Sequence, residues 1–218
     1  LSVMWFSLAS TSEQFTALNG ANIAIVLLIT LWALRLGTFL FMRIHKDGED
    51  KRFRSIKPSA TQFFMTWTLQ GLWVSMCSMC ALTAISSETG VVINALFYIG
   101  LGLFIYGFCT EIIADNQKSK FRSVPENRDK FITTGLWAKS RHPNFFGEIV
   151  LWAGVAVMSF SSLNGLQYLT LISPVFTYLL LVYVSGVRML EARADKKWGQ
   201  DEEYIKYKSE TPVLMIKY

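Results

Sequence analysis

Charge is scarce in this chain, and its few charged residues are unevenly placed. Asp, Glu, Lys and Arg make up 17% of 218 residues while 52% are hydrophobic, a balance too apolar for an ordinary soluble domain and long enough for one compact unit, 1–218. Histidine is limited to His45 and His142, and cysteine to Cys77, Cys80 and Cys109. None of these forms a cluster at ligand spacing, so no metal site is expected. Cys77-x-x-Cys80 lies between Met76, Met79 and Leu82 within an apolar run and reads as packing, not as a redox pair. The chain also lacks a strand followed by G-x-G-x-x-G, a P-loop and a Ser/His/Asp arrangement, so any nucleotide must be held by a helical framework. There is no internal repeat, no low-complexity segment, and no basic n-region with a small-residue cleavage site, so no secretory signal is assigned. The first residue is Leu, and Val3 to Ala9 reads as the end of a truncated membrane helix.

What is present is hydrophobic length. Five stretches suit a bilayer core of about 30 Å, which needs roughly 17 to 25 residues each: Ala21 to Met42, Gln62 to Ile85, Val91 to Ala114, Asn144 to Ser161 and Leu166 to Val187. The fold class is therefore all-α, a polytopic bundle of five clear spans plus a partial N-terminal one. Short polar turns, 86–90 and 161–165, make hairpins of the second and third spans and of the fourth and fifth. Pro174 is expected to kink the fifth. All but one of the 21 Lys and Arg residues, the exception being Arg35, fall in two long loops and the C-terminal tail, on one side if the spans alternate. The positive-inside rule makes that side cytoplasmic, with the tail. Topology and anionic lipids account for the basic residues without nucleic acid.

Three polar groupings at the membrane edge go beyond what topology requires. In Glu111-Ile112-Ile113-Ala114-Asp115-Asn116-Gln117-Lys118-Ser119-Lys120-Phe121-Arg122, positions 111, 115, 118 and 122 fall on one helical stripe, two carboxylates followed by two cations. The cations suit phosphates and Asp115 suits a ribose or carboxamide, although i, i+4 ion pairs at a helix end have the same spacing. The second grouping is Ser140-Arg141-His142-Pro143-Asn144-Phe145-Phe146-Gly147-Glu148, where Pro143 suits the first helical position. Arg141 and the unpaired N–H groups of the first turn are expected to form an anion seat there. Asn144, Gly147 and Glu148 share a face of an otherwise apolar helix, and His142 is either a proton donor or a group that orders the loop. The third is the tail, Arg188, Glu191, Arg193, Asp195, Lys196, Trp198-Gly199, Tyr204 and Tyr207. It reads either as part of a cofactor site or as an amphipathic helix with interfacial aromatic anchors. Its end, Thr211-Pro212-Val213-Leu214, suggests a tail folded back onto something. The first long loop, with His45, Glu49, Asp50, Arg52 and Phe53, reads as a cofactor cover or a solvated connection.

Gly135-Leu136-Trp137, the Ser140–Glu148 stretch, Ala114-Asp115-x-Gln117-Lys118-x-x-Phe121-Arg122 and Glu191-x-Arg193-x-Asp195-x-x-Trp198-Gly199 together resemble the steroid 5-alpha-reductase C-terminal superfamily, and within it the DUF1295 family, from about Leu31 to Tyr218. The resemblance implies a multi-pass reductase that takes hydride from NADPH, bound from the cytoplasm, and reduces a carbon–carbon double bond of a small hydrophobic lipid. It also implies a bacterial inner membrane in preference to the endoplasmic reticulum. Carried over by position, it makes Asp115, Arg122, Asn144 and Arg188 cofactor contacts and puts Glu148 in the same motif. Lys118, Arg141, His142 and Arg193 complete the expected cofactor set with Glu111, which stands where the steroid reductases have an Asn. Lys139 replaces a common Tyr. The Tyr that polarises the substrate carbonyl in the steroid reductases has no counterpart near Leu34 or Arg35. Glu148, Tyr106 and Arg35, in that order, are the candidate proton donors. Two other readings are a methyltransferase of the isoprenylcysteine and phospholipid type using S-adenosylmethionine, and a non-catalytic lipid-binding protein of the same fold.

Overall fold

The computed structural model describes residues 19–48, 54 and 56–216. Val3–Ala9 and the loop residues Glu49, Asp50, Arg52 and Phe53 lie outside the described residues. Among the described residues seven α-helices follow in order: α1 (Gly20–Asp47), α2 (Ala60–Ile85), α3 (Ala95–Ser123), α4 (Pro143–Ser159), α5 (Ile172–Leu179), α6 (Val187–Trp198) and α7 (Glu202–Glu210). Short 3-10 turns separate several of them, and no strand occurs among the described residues. Among the described residues five helical stretches are long and apolar enough to cross a membrane: Gly20–His45, Ala60–Ile85, Ala95–Ser123, Pro143–Ser162 and Gly165–Trp198. Exposed Leu27, Leu31, Phe41, Phe64, Leu72, Ile99 and Leu169 lie on these stretches, the surface a lipid-facing helix presents.

The chain groups into two compact units, Leu1–Phe97 with Met158–Ser173, and Tyr98–Val157 with Pro174–Tyr218. In the first, the Asn19 side chain caps α1 by accepting from Ala21 N–H at 3.0 Å, and Ser59 caps α2 through Gln62 N–H. Asn22, fully buried, accepts from Val91 N–H at 2.7 Å, and Asn19 Nδ2 donates to the Val91 carbonyl at 2.6 Å. Gly90 is the residue that permits this approach. Its φ is +63°, and a Cβ there would stand 2.9 Å from Asn22 Nδ2.

Those bonds correct one expected boundary. The third span was expected from Val91, but residues 91–94 are not helical. The backbone of Val91 is taken by two asparagines, Val92 N–H donates to Ser162 Oγ at 3.0 Å, and Asn94 caps Phe97 at 3.1 Å. Helix therefore begins at Ala95 and continues past the expected end to Ser123.

Cys77 and Cys80 are free and fully buried. Cys80 Sγ donates to the Thr170 carbonyl at 2.7 Å, and Ser173 Oγ donates to the Cys77 carbonyl. The pair joins α2 to Thr170, just before α5, and to Ser173 in the first turn of α5, which is a packing role.

The fifth span is irregular, changing from a 3-10 helix (Gly165–Leu171) to α-helix two residues before Pro174. Pro174 sits in the first turn of α5, where a missing N–H breaks no intrahelical bond. A second irregularity follows, a π turn over Leu180–Val184, where Ser185 N–H donates to the Leu180 carbonyl at 2.9 Å. Gly186 ends it. A Cβ there would stand 2.2 Å from the Leu181 carbonyl and 3.0 Å from the Phe145 ring. The break starts α6 beside Phe145, which brings the tail to α4.

Candidate functional site

The second unit is built on a close approach of two helices. A Cβ on Gly107 would lie 2.4 Å from the Gly147 carbonyl, and one on Gly147 would lie 2.6 Å from the Gly107 carbonyl and 2.8 Å from Glu111 N. Further along, a Cβ on Gly154 would lie 2.6 Å from the Gly100 carbonyl. Glycines seven residues apart on α3 thus face glycines seven apart on α4, so the two backbones touch. Phe104, Leu151, Trp152 and Val155 are buried on these helices.

That contact places polar residues together at one end of the pair. Glu111, 3% exposed, lies against Gly147, the neighbour of buried Glu148. Asp115 is buried a turn beyond Glu111, Lys118 is half-buried and Arg122 is exposed, so the stripe runs from buried carboxylates to a solvated cation. Asn144 is half-buried a turn before Glu148. Carboxylates on membrane helices are costly without partners or a function.

The loop after α3 folds back on it. Gly135, at φ +64°, lies over the Gln117 side chain, with no room for a Cβ, and Gln117 Oε1 accepts from Leu136 N–H at 2.9 Å. Trp137 Nε1 donates to the Ala114 carbonyl at 3.0 Å, and Lys118 Nζ stands 4.2 Å from the Trp137 ring centroid. Ala114, Ile132 and Trp137 form a small core with Phe121 and Leu136.

The tail covers the loop. Phe131 packs among Trp198, Tyr204 and Tyr207. Tyr207 donates its hydroxyl to the Trp137 carbonyl at 2.6 Å, and burial pushes its pKa up to about 12. Tyr204 donates to Asp195 at 2.9 Å. Its phenol is raised too, by burial first and then by Asp195. The segment after α7 pairs with the loop before α4. Arg141 N–H donates to the Pro212 carbonyl at 2.9 Å, His142 N–H to the Val213 carbonyl at 3.1 Å, and Ser140 Oγ to the Leu214 carbonyl at 2.9 Å.

Glu191 is the centre of this arrangement. One oxygen accepts from Arg141 Nη1 at 2.8 Å and the other lies 2.7 Å from His142 Nε2. Lys208 stands 3.5 Å from Glu191 and also pairs with Asp195. Burial lowers the pKa of His142 below its ordinary value against the pull of Glu191, so the imidazole is neutral at pH 7.

Of the residues singled out in the sequence, Glu111, Asp115, Lys118 and Arg122 share one helix, and Glu148 adjoins the first of them through Gly147. Pro143 opens α4 as expected. Arg141, expected to form an anion seat with the first-turn N–H groups of α4, is held through Nη1 by Glu191, and the N–H groups of residues 141 and 142, just before the helix, pair with the tail. Arg188 and Arg193 are exposed on α6. Tyr106 is 39% exposed and meets Phe146 edge to face. Arg35 belongs to the other unit, with its guanidinium 5.6 Å from the Phe39 ring centroid. A shallow depression of about 580 Å³ is lined by Asp195, Gly199, Tyr204, Ile205, Lys208 and Ser209. It contains none of the residues expected to bind a cofactor. Sequence reasoning missed the hub role of Glu191 and the glycine contact. The signals for them were Glu191 one turn after Arg188, and the matching spacings Gly100/Gly107 and Gly147/Gly154.

A family described as "Protein of unknown function (DUF1295)" matches residues 2–211. A protein named "Probable O-methyltransferase ustE", from Ustilaginoidea virens, is 30% identical over a 116-residue alignment that covers 46% of this chain and 41% of that protein. The match thus spans less than half of the relative's length. No solved structure matches.

Proposed function

The chain belongs to the DUF1295 family, and on that premise we propose that it is a membrane-embedded oxidoreductase that reduces a carbon–carbon double bond of a hydrophobic lipid with NADPH. The observation that carries this reading is the α3 stripe, with Glu111 and Asp115 buried and Lys118 and Arg122 beyond them, beside Asn144 and Glu148 where Gly147 meets Glu111. The donor set suits such a cofactor. Asp115 suits ribose hydroxyls, Lys118 and Arg122 suit phosphates, and Asn144 suits a carboxamide. Buried His142 Nδ1 and Arg141 Nε have no hydrogen-bond partner among the described residues, which leaves an acceptor and a donor for a ligand. Arg188 and Arg193 are exposed and extend the cationic edge.

When bound, NADPH supplies the hydride. The residues of this chain orient it, keep water out through the apolar faces of α3 and α4, and stabilise the charge that develops on the substrate. Glu148, buried at the helix contact, is the first candidate for delivering the proton, and Tyr106 on α3 is the second.

A second reading, transfer of a methyl group from S-adenosylmethionine, is favoured by the name of the fungal relative. Buried carboxylates also suit a cationic methyl donor. The variants Arg122→Ala and Asn144→Ala test the first reading. Each should weaken NADPH binding by about 1.5 to 3 kcal/mol, as for a charge-assisted or buried hydrogen bond. Unchanged affinity in both, measured by calorimetry on detergent-purified protein, would remove α3 and α4 as the site.

A further inference from the structure

His142 is held on four sides. Its Nε2 lies 2.7 Å from Glu191 Oε1, and its ring stacks on Phe145 with centroids 5.7 Å apart and planes 10° apart. Its backbone N–H donates to the Val213 carbonyl, and Pro143 follows it. Its side chain is 7% exposed, and its Nδ1 is buried with no hydrogen-bond partner among the described residues. Glu191 itself is tied to Arg141 at 2.8 Å, with Lys208 at 3.5 Å. A carboxylate held by two cations only accepts hydrogen bonds, so the proton in the 2.7 Å contact sits on the imidazole.

We propose that Glu191 is a positioning residue that holds His142 as its Nε2–H tautomer and thereby presents the buried Nδ1 lone pair as an acceptor for a hydroxyl or amide donor on a bound cofactor. The ring is neutral because burial, helped by the neighbouring charges of Lys118 and Arg141, outweighs the attraction of Glu191. With one nitrogen committed to Glu191, a neutral ring has only Nδ1 left to offer. Buried acceptors are almost always satisfied, and a ligand with an O–H or N–H donor would satisfy this one. The inference rests on a cofactor binding at this end of α3 and α4. It does not choose between NADPH and S-adenosylmethionine, since both carry ribose hydroxyls.

The test is nitrogen NMR on the full chain labelled with 15N-histidine. The sequence has only two histidines, so His45→Gln assigns the spectrum. At neutral pH, His142 should show an unprotonated Nδ1 and a protonated Nε2; the opposite tautomer or an imidazolium overturns the proposal. In Glu191→Gln the carboxamide can donate as well as accept. The two tautomers should then mix and both nitrogens move to intermediate shifts, and an unchanged spectrum removes the role of Glu191. Addition of NADPH or S-adenosylmethionine should move the Nδ1 resonance, and Glu191→Gln should weaken that ligand by up to about tenfold, the upper end of the scale for one hydrogen bond between neutral groups. A ligand that binds by calorimetry without moving Nδ1 removes the acceptor role. If neither ligand binds, the cofactor reading fails, while the wild-type and Glu191→Gln spectra still decide what Glu191 does.

Discussion

The buried imidazole of His142 makes stability depend on pH with a definite sign. Its pKa in the folded chain lies below the ordinary 6.5, so below that pH the unfolded chain binds the proton more readily than the folded one. The stability from keeping the ring neutral is therefore complete above about pH 6.5 and is lost as pH falls from there towards the folded value. Thermal unfolding in detergent at about pH 7.5 and about pH 5.5 should show a drop in midpoint for the wild type and a smaller one for His142→Gln. Equal drops would mean that His142 is not the group responsible. The motif itself was legible in the sequence. Arg141-His142-Pro143-Asn144 marked the end of a helix next to polar chemistry, and Pro143 does open α4. The occupation of Arg141 by Glu191 was not legible, since it depends on a break at Gly186 that delivers α6 to Phe145. Spacing within one helix says nothing about a partner 50 residues further on.

Among the elements, the α3–α4 pair is the most exposed to substitution. At Gly147 a methyl group would meet the Gly107 carbonyl at 2.6 Å and Glu111 N at 2.8 Å, backbone atoms that cannot rotate away. Gly147→Ala should cost about 1 to 3 kcal/mol through overpacking. Gly102→Ala, on the same α3 helix with nothing within 4 Å of the added Cβ, should cost nothing, since alanine is the better helix former. Thermal midpoints of the two variants compare them directly, and an unaffected Gly147→Ala would mean that the helices are further apart. All five spans were legible, because hydropathy and length act locally, and the ends of the second and fourth fall within two residues of those expected. The start of the third and the course of the fifth were not legible. The start of α3 is moved to Ala95 by Asn19 and Asn22 reaching Val91, and the fifth span is broken by a π turn and Gly186. The paired glycines were visible as residues, but their meaning needs the knowledge that 107 faces 147.

For the whole molecule, the described chain has the length and apolarity of a multi-pass membrane protein and carries the DUF1295 match along nearly all of it. Its candidate site lies within one compact unit, 98–157 with 174–218, where α3, α4 and the tail bring buried carboxylates, cations and a fixed histidine to one end of a helix pair. The substrate half of a reductase was not legible in the same way. The carbonyl-polarising Tyr of the steroid reductases has no counterpart in the first span, and Arg35, the third candidate proton donor, is in the unit 1–97 with 158–173. The claim that most needs testing is the identity of the cofactor. Calorimetric titration of the detergent-purified full chain with NADPH, and separately with S-adenosylmethionine, tests it most directly. The account predicts NADPH binding in the micromolar range and none of comparable strength for S-adenosylmethionine. Binding of the methyl donor without NADPH would contradict it in favour of methyl transfer, and binding of neither would contradict both enzymatic readings.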